Sequence, residues 1–305
     1  MSKLLLLIAT ILIAIAGVAV PALVNVEEVQ NAIIDDEKWL SLKSGGVHYE
    51  DSVSGNRTIV LIHGFSVPSY TWDRNFPTLV DAGFRVVRYD LYGRGHSDKP
   101  SGTYNRKLFV EQLHQLLKEL EIEERVVLVG LSMGGGIAAA FASEYPEQVS
   151  ELVVLAPFNT AASIGPLAWP VIGEFLAYSF YIPGMAEDQL SDFVNPQQYP
   201  HWPMKFESQT RYFGFRKAIL STMREFLRSD PLVDFETVGR SGLPSLVIWG
   251  DRDLTFPIGQ SDNVLKSLEP NATFVQIDGA GHALHYENFD QVNNAILDFL
   301  LKKNR

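Results

Sequence analysis

The chain has 305 residues, of which 46% are hydrophobic and 20% are charged, a balance that excludes a disordered or low-complexity protein. Its 36 acidic and 25 basic side chains give a net charge of −11, so binding to nucleic acid is not expected. Because cysteine is absent, disulfides, thiolate metal sites and a cysteine nucleophile are excluded.

An apolar segment, Leu4–Val24, lies near the start of the chain. It is long enough to cross a bilayer, which needs about 20 residues as a helix. Lys3 precedes the segment and two glutamates follow it, so the positive-inside rule predicts that the remainder of the chain is exported. Residues 1–30 are therefore predicted to be an uncleaved membrane anchor or a cleaved signal peptide. The anchor explains the length better, because the apolar part of a signal peptide normally has about 7–15 residues. Association with a membrane through this segment follows from that prediction.

Strand patterns and helical patterns then alternate along the chain. Runs that are apolar on both faces are typical of strands buried on both sides. After two strands around a Gly45-Gly46 turn, such runs occur at 57–64, 85–90, 125–130, 151–157, 244–250 and 273–278. The sequence predicts an α/β fold with a mostly parallel sheet flanked by helices, its core formed by residues 31–157 and 244–305.

Residues 158–243 interrupt this alternation after the sixth strand. They hold 15 of the 34 aromatic residues of the chain, and prolines such as Pro166 and Pro183 divide them into short pieces. We expect a helical cap over the carboxyl edge of the sheet, where ligands of such sheets bind. Most of these aromatic side chains should pack within the cap, and the others should line an apolar cleft.

Gly130-Leu131-Ser132-Met133-Gly134 directly follows a predicted strand and begins an alanine-rich helical segment. This is the G-x-S-x-G nucleophile elbow in the strand–turn–helix context that it requires. The turn is strained and crowded, so the residues two positions before and after the serine must lack a Cβ. The sequence therefore predicts Ser132 as a nucleophile.

A serine hydroxyl needs a base, and the base needs an acid that orients it. His282 follows the last predicted strand in a glycine-containing loop, which favours it over His285. Asp253 follows the strand before that, in the order Ser, Asp, His that this elbow requires. Asp251 is the neighbouring candidate, and it is expected to hold the turn instead. The predicted catalytic residues are Ser132, Asp253 and His282.

An oxyanion hole needs two backbone N–H groups. Met133 follows the nucleophile, and Phe65 lies in the loop after the third strand, so these two residues are predicted to provide them. His63, just before that loop, is expected to be structural. The sequence contains no metal-ligand spacing, phosphate loop or dinucleotide fingerprint, so neither a metal nor a cofactor is expected.

Five motifs in a fixed order carry a resemblance to a known superfamily: LIHGF, YDLYGRGHSDKP, GLSMGGG, WGDRDLTFP and GAGHALHYE. Over residues 45–303 the chain resembles the α/β-hydrolase fold superfamily. Its serine elbow is similar to those of carboxylesterases, lipases and monoacylglycerol lipases, some of which have an N-terminal membrane anchor. Haloalkane dehalogenases and epoxide hydrolases have aspartate at the elbow, so the serine argues against those activities.

The expected function is hydrolysis of a carboxylic ester with an apolar acyl chain, such as a lipid ester. One alternative is a carbon–carbon bond hydrolase of the meta-cleavage type, with Arg211 and Arg216 of the cap holding a substrate carboxylate. A cofactor-free perhydrolase is another. A binding protein that keeps the fold without catalysis is the rival from a different class.

Overall fold

The computed structural model describes residues 38–302, and one mixed sheet forms its frame. The strands are β1 (Trp39–Leu42), β2 (Gly45–Asp51), β3 (Thr58–Ile62), β4 (Arg85–Tyr89), β5 (Val126–Leu131), β6 (Val149–Leu155), β7 (Ser245–Gly250) and β8 (Ala272–Ile277). They lie in the order β1-β2-β4-β3-β5-β6-β7-β8. β1 pairs with β2 and β2 with β4 in antiparallel fashion, and all later neighbours are parallel. The predicted α/β fold is confirmed.

Helices flank this sheet and connect its strands. They are α1 (Phe76–Asp81), α2 (Arg106–Glu119), α3 (Met133–Glu144), α4 (Ile172–Leu176), α5 (Ile182–Asp188), α6 (Trp202–Thr210), α7 (Phe215–Arg224), α8 (Leu232–Ser241), α9 (Ser261–Leu268), α10 (Leu284–Glu287) and α11 (Phe289–Lys302). A π-helical turn, Ala177–Tyr181, joins α4 to α5. Single 3₁₀ turns lie at Ser69–Trp72, Pro146–Gln148, Gly165–Ala168, Gln189–Asp192, Pro196–Gln198, Phe226–Arg228 and Ile258–Gln260.

The central strands are buried along their whole length. Every residue of β3, β5 and β7 is buried, which explains why these strands read as continuous apolar runs rather than as alternating patterns. β8 borders the sheet and exposes Thr273, Phe274 and Gln276. The site described below lies at the carboxyl ends of the buried strands, where backbone groups of β5 and β7 lead into loops.

The helices α4 to α8 lie between β6 and β7, so the predicted insertion after the sixth strand is confirmed. They have an apolar core of their own, which includes Ile182, Phe206, Phe215 and Ile219. We refer to residues 158–243 as the cap, and these boundaries stay a prediction.

Polar contacts fasten the cap to the core. Gln209 of α6 donates to the backbone oxygen of Ser66 at 2.8 Å and accepts from the N–H of Gly95 at 2.8 Å. On the other side, the carboxylate of Glu287 in α10 accepts from the N–H groups of Val194 and Asn195, at 2.7 and 2.8 Å. The cap is thus tied both to the loop after β3 and to the segment that follows β8.

The predicted localisation is corrected by the structure. A membrane-spanning helix needs about 20 apolar residues. Among residues 38–302, no helix has the length and apolar character to cross a bilayer, and the longest, α2 and α11, have 14 residues each and carry charges. The prediction of an exported, membrane-anchored catalytic domain is therefore wrong. The segment predicted as an anchor or signal peptide, residues 1–30, lies outside the described residues.

Candidate active site

Ser132 occupies the turn between β5 and α3, and its backbone is strained. Its φ of 52° and ψ of −120° lie in a region that residues with a Cβ rarely adopt. The turn is fixed by a hydrogen bond from the N–H of Ser132 to the backbone oxygen of Leu155 in β6, at 2.9 Å. The side chain therefore stands between the end of the strand and the beginning of the helix, where helix N–H groups are unpaired.

The glycines around Ser132 allow a close approach of backbone to backbone. A Cβ added to Gly134 would lie 2.2 Å from the oxygen of Ile62, and one added to Gly130 would lie 2.4 Å from the oxygen of Gly134. Both distances are far below van der Waals contact. The predicted reason for glycine at these positions, crowding at the elbow, agrees with this packing.

His282 and Asp253 form a buried pair behind the serine. Nδ1 of His282 lies 2.8 Å from Oδ2 of Asp253, and both side chains are almost inaccessible to solvent. The other carboxylate oxygen of Asp253 accepts from the N–H groups of Thr255 and Phe256, at 2.9 and 2.7 Å. Asp251 is exposed and accepts from the N–H of Gly279 at 2.6 Å. Of the two aspartates, Asp253 is thus the one that contacts the histidine.

The pKa of His282 reflects two opposing effects. Burial lowers this pKa, but the hydrogen bond to Asp253 and the negative charge of that carboxylate raise it by more. The result is a pKa above the ordinary value of a histidine. The site therefore stabilises the protonated imidazole, and this helps a general base to accept a proton during a reaction.

The loop after β3 is held in place by two buried side chains. Nδ1 of His63 lies 2.8 Å from the oxygen of Gly64, and its Nε2 accepts from the N–H of Leu91 at 2.9 Å. Burial lowers the pKa of His63 to about 4, so the ring is neutral. Arg94 is fully buried, and its Nε donates to the oxygen of Phe65 at 2.8 Å. These contacts fix the peptide groups on both sides of Phe65.

Arg94 also reaches the cap, because a terminal nitrogen of its guanidinium donates to Oγ1 of Thr222 in α7 at 2.9 Å. The guanidinium lies over the rings of Phe65 and Phe109, at 5.5 and 5.6 Å from their centroids. Burial lowers the pKa of Arg94 to about 9. One side chain thus connects the predicted oxyanion loop to a helix of the cap.

A cavity of about 200 Å³ opens beside Ser132. Its wall combines loop residues of the core with the Asp188–Phe193 segment of the cap. The lining residues are Gly64, Phe65, Ser66, Val67, Thr71, Leu131, Ser132, Asp188, Gln189, Asp192, Phe193, Trp202, Thr255, His282, Ala283 and His285. No lysine or arginine is among these residues. Burial raises the pKa of Asp192, which shows that this environment disfavours negative charge.

Some of the predicted site residues line this cavity, and others lie behind its wall. Ser132, His282 and Phe65 line it, whereas Asp253 stands behind His282 and Met133 is buried at the first position of α3. No hydrogen bond joins the side chains of Ser132 and His282 in the part of the chain that the structure describes. Such bonds are often long before substrate binds.

The cavity also contains polar residues that sequence reasoning did not assign to the site. Thr71, Asp192 and Thr255 lie in its wall, and Thr255 donates to Oδ1 of Asp192 at 2.8 Å. None of them belongs to a motif, and their common position arises only when the cap packs on the core. Among residues 38–302, no cluster of three or more histidine, aspartate or glutamate side chains is arranged to hold a metal ion.

Comparison with known families gives one match over most of the chain. A family model described as "alpha/beta hydrolase fold" matches residues 57–289. This range includes every residue predicted for the site.

Individual relatives differ in their named activities. The chain is 33% identical to a 2-hydroxy-6-oxononadienedioate/2-hydroxy-6-oxononatrienedioate hydrolase of Paraburkholderia phymatum, over 86% of this chain and 95% of the relative. It is 28% identical to a putative non-heme chloroperoxidase of a Synechocystis species, over 83% and 94%. Among solved structures, a thermophilic esterase from Thermogutta terrifontis is 25% identical with a TM-score of 0.73, over 87% of this chain and 98% of that one.

Proposed function

The chain belongs to the alpha/beta hydrolase fold family, and from this premise we propose that it is a serine hydrolase that cleaves small, uncharged carboxylic esters. Ser132, His282 and Asp253 carry the reaction. The N–H groups of Phe65 and Met133 form the oxyanion hole.

The reaction proceeds through an acyl-enzyme. His282 Nε2 accepts the proton of Ser132 Oγ as that oxygen attacks the acyl carbonyl, and the two N–H groups stabilise the oxyanion. The protonated imidazole, stabilised by Asp253, then gives its proton to the departing alcohol. Water, deprotonated by His282, attacks the acyl-enzyme and releases the acid.

The observation that carries this proposal is the charge of the cavity wall. Ser132 and His282 share the cavity with two cap carboxyl groups, Asp188 and Asp192, and with no lysine or arginine among its lining residues. A substrate carboxylate would be desolvated there without a cationic partner, which is costly. The wall therefore favours an uncharged ester.

The size of the cavity favours a short acyl chain. Its volume of about 200 Å³ is below the roughly 300–1,000 Å³ of pockets that hold drug-sized ligands. This volume does not support the long apolar chain of a lipid ester, which the sequence led us to expect.

Hydrolysis of p-nitrophenyl esters from acetyl to palmitoyl tests the proposal. We expect the highest kcat/KM at two to four acyl carbons, and Ser132→Ala should reduce kcat by roughly 10⁴–10⁶. Ser54→Ala, at an exposed serine, is the matched control and should have the activity of the wild type. Absence of activity at every chain length, together with no labelling of Ser132 by a fluorophosphonate, would contradict the proposal.

The second candidate is carbon–carbon bond cleavage, and the relatives favour it. Several of them are named as 2-hydroxy-6-oxononadienedioate hydrolases, and these names fit carbon–carbon cleavage better than they fit ester hydrolysis. The substrate in those names has two carboxylates. Arg211 pairs with Glu207 at the surface, and Arg216 lines a different cavity, so neither faces Ser132. The charge of the cavity argues against a dicarboxylate in this chain.

A direct comparison separates the two candidates. The purified protein is offered a p-nitrophenyl ester of its preferred length and 2-hydroxy-6-oxononadienedioate, and kcat/KM is measured for both. We expect the ester to be preferred by at least 100-fold. A preference for the dienedioate would replace ester hydrolysis with carbon–carbon cleavage as the function.

A further inference from the structure

Thr71 and His285 form a polar pair in the cavity wall that the proposed mechanism does not use. Both residues line the cavity and both are only 2% exposed overall. Oγ1 of Thr71 lies 2.5 Å from Nε2 of His285, although 214 positions separate them in the sequence. The ring of Trp72 packs edge-on against His285, with centroids 4.9 Å apart, and holds the imidazole in this orientation.

The protonation of His285 determines which atom donates. Burial and, to a smaller extent, the nearby His282 lower the pKa of His285 to about 3, so the ring is neutral and has one N–H. Nδ1 is buried and has no hydrogen-bond partner among residues 38–302. Buried N–H groups without an acceptor are rarer than buried acceptors without a donor. The proton therefore resides on Nε2, which donates to Oγ1 of Thr71.

This assignment leaves the hydroxyl hydrogen of Thr71 available. Its oxygen already accepts from His285, and the described part of the chain offers this hydroxyl no other partner. The side chain faces the cavity beside Ser132, where water or a substrate atom can accept the hydrogen.

We propose that Thr71 is a substrate-binding residue that donates a hydrogen bond to a second oxygen of the ester, and that His285 positions it. The preferred substrates are then short esters with an ether, keto or hydroxyl oxygen on the acyl or the alcohol side. This inference rests on the proposed ester hydrolysis and specifies its substrate class.

Two pairs of esters of matched size test the proposal, one pair for each side of the scissile bond. p-Nitrophenyl methoxyacetate is compared with p-nitrophenyl butyrate, and 2-methoxyethyl acetate with butyl acetate. Each ratio of kcat/KM is divided by the ratio of the hydroxide-catalysed rates, which removes intrinsic reactivity. In one of the two pairs, the wild type should prefer the ether by about tenfold, the effect of one hydrogen bond.

Substitutions at Thr71 identify the donor. Thr71→Val should remove this preference, and Thr71→Ser, which keeps the hydroxyl, should retain it. Thr273→Val, at an exposed position of β8, is the control and should leave both ratios unchanged. If the valine leaves the His285 N–H unpaired and unfolds the protein, the double variant Thr71→Val/His285→Leu replaces both polar groups and tests the same loss.

Substitutions at His285 test its positioning role. A glutamine there keeps an N–H that can donate to Thr71, so His285→Gln should retain the preference, and His285→Leu should lower it toward that of Thr71→Val. An unchanged preference in active Thr71→Val, or no preference in the wild type for either pair, overturns the inference alone. Absence of hydrolysis of all four esters by the wild type overturns the proposed function and this inference together.

Discussion

At the scale of single residues, the choice between Asp251 and Asp253 shows how narrowly a site can be defined. The two carboxylates are two positions apart after the same strand, yet only Asp253 turns inward to His282. Asp251 holds a surface turn through the N–H of Gly279. Two further N–H groups fix Asp253, so its carboxylate has little freedom to leave the imidazole.

The raised pKa of His282 predicts a pH dependence. Ester hydrolysis needs the neutral imidazole, so kcat/KM should fall as the pH drops through a pKa above 6.5. Asp253→Asn should lower kcat by about 10⁴ and shift this acid limb to lower pH, because the carboxylate no longer stabilises the protonated ring. The measurement is the pH profile of kcat/KM from pH 4 to 9.

Asp251→Asn is the matched control and should leave the acid limb in place. An acid limb that moves in neither variant would mean that another group controls the profile.

The raised pKa of His282 also affects the pH dependence of stability. Because the folded state raises this pKa, the pair of His282 and Asp253 stabilises the fold below pH 6.5, and this contribution is lost as the pH rises through the raised pKa.

The sequence predicts the residues whose chemistry has a local signature, and the structure brings two of them, Asp253 and His282, into contact. Ser132 lies in a five-residue pattern, and His282 and Asp253 follow strands in a required order. Thr71, His285 and Asp192 have no such pattern, because their meeting depends on how the segments after β3 and β8 and the cap pack together. Backbone N–H groups such as those of Phe65 and Met133 leave no mark in side-chain identity, so their roles stay a prediction.

At the scale of secondary-structure elements, the contact between α3 and β3 predicts a severe effect of one methyl group. In Gly134→Ala the new Cβ would lie 2.2 Å from the backbone oxygen of Ile62, so the helix or the strand must shift. We expect a loss of about 3 kcal/mol in the free energy of unfolding. Denaturation in urea measures this loss.

Gly259→Ala is the control, because a Cβ at Gly259 has no atom within 4 Å. Its free energy of unfolding should lie within about 0.5 kcal/mol of the wild type. Equal effects of the two substitutions would show that crowding at the elbow is not what requires glycine.

Strands were predictable because burial on both faces gives continuous apolar runs, as in β3, β5 and β7. The helices of the cap were harder to predict. Pro183 predicts an interruption, but the segment is helical from Ile172 to Asp188, with a π-helical turn just before the proline. Pattern alone therefore gave the position of the cap but not the length of its helices.

At the scale of the whole molecule, Glu287 joins the cap to the core. Its carboxylate accepts from two backbone N–H groups and from the side-chain amide of Asn195, at 2.7 to 2.8 Å. Glu287→Ala should reduce stability by about 2 kcal/mol, since hydrogen bonds to charged groups are worth about 1.5–3 kcal/mol. Hydrogen exchange should accelerate at the amides of Val194 and Asn195.

Glu236→Ala removes a carboxylate from an exposed pair with Arg240 and is the control for the loss of charge. It should change stability by less than about 0.5 kcal/mol and leave exchange at Val194 unaltered. If Glu287→Ala changes global stability without local exchange at these amides, the contact does not hold the cap by itself.

The cavity is a property of the assembled molecule, and the sequence could not give it. An aromatic-rich cap predicted an apolar cleft, whereas the wall also carries Asp188 and Asp192 and encloses about 200 Å³. Volume depends on side-chain packing between distant segments, which no local pattern encodes. The charge of the wall likewise depends on which few of 61 charged residues turn inward.

The strained backbone of Ser132 has an evolutionary consequence. A φ of 52° is unfavourable for serine and relaxed for glycine, so the backbone conformation at this position favours glycine over the serine that is present. A lineage that no longer needs the proposed reaction would gain stability by replacing this serine with glycine. Under the proposed function, selection for catalysis retains the serine, and a lineage released from that selection should lose Ser132 before it loses the residues of the surrounding sheet.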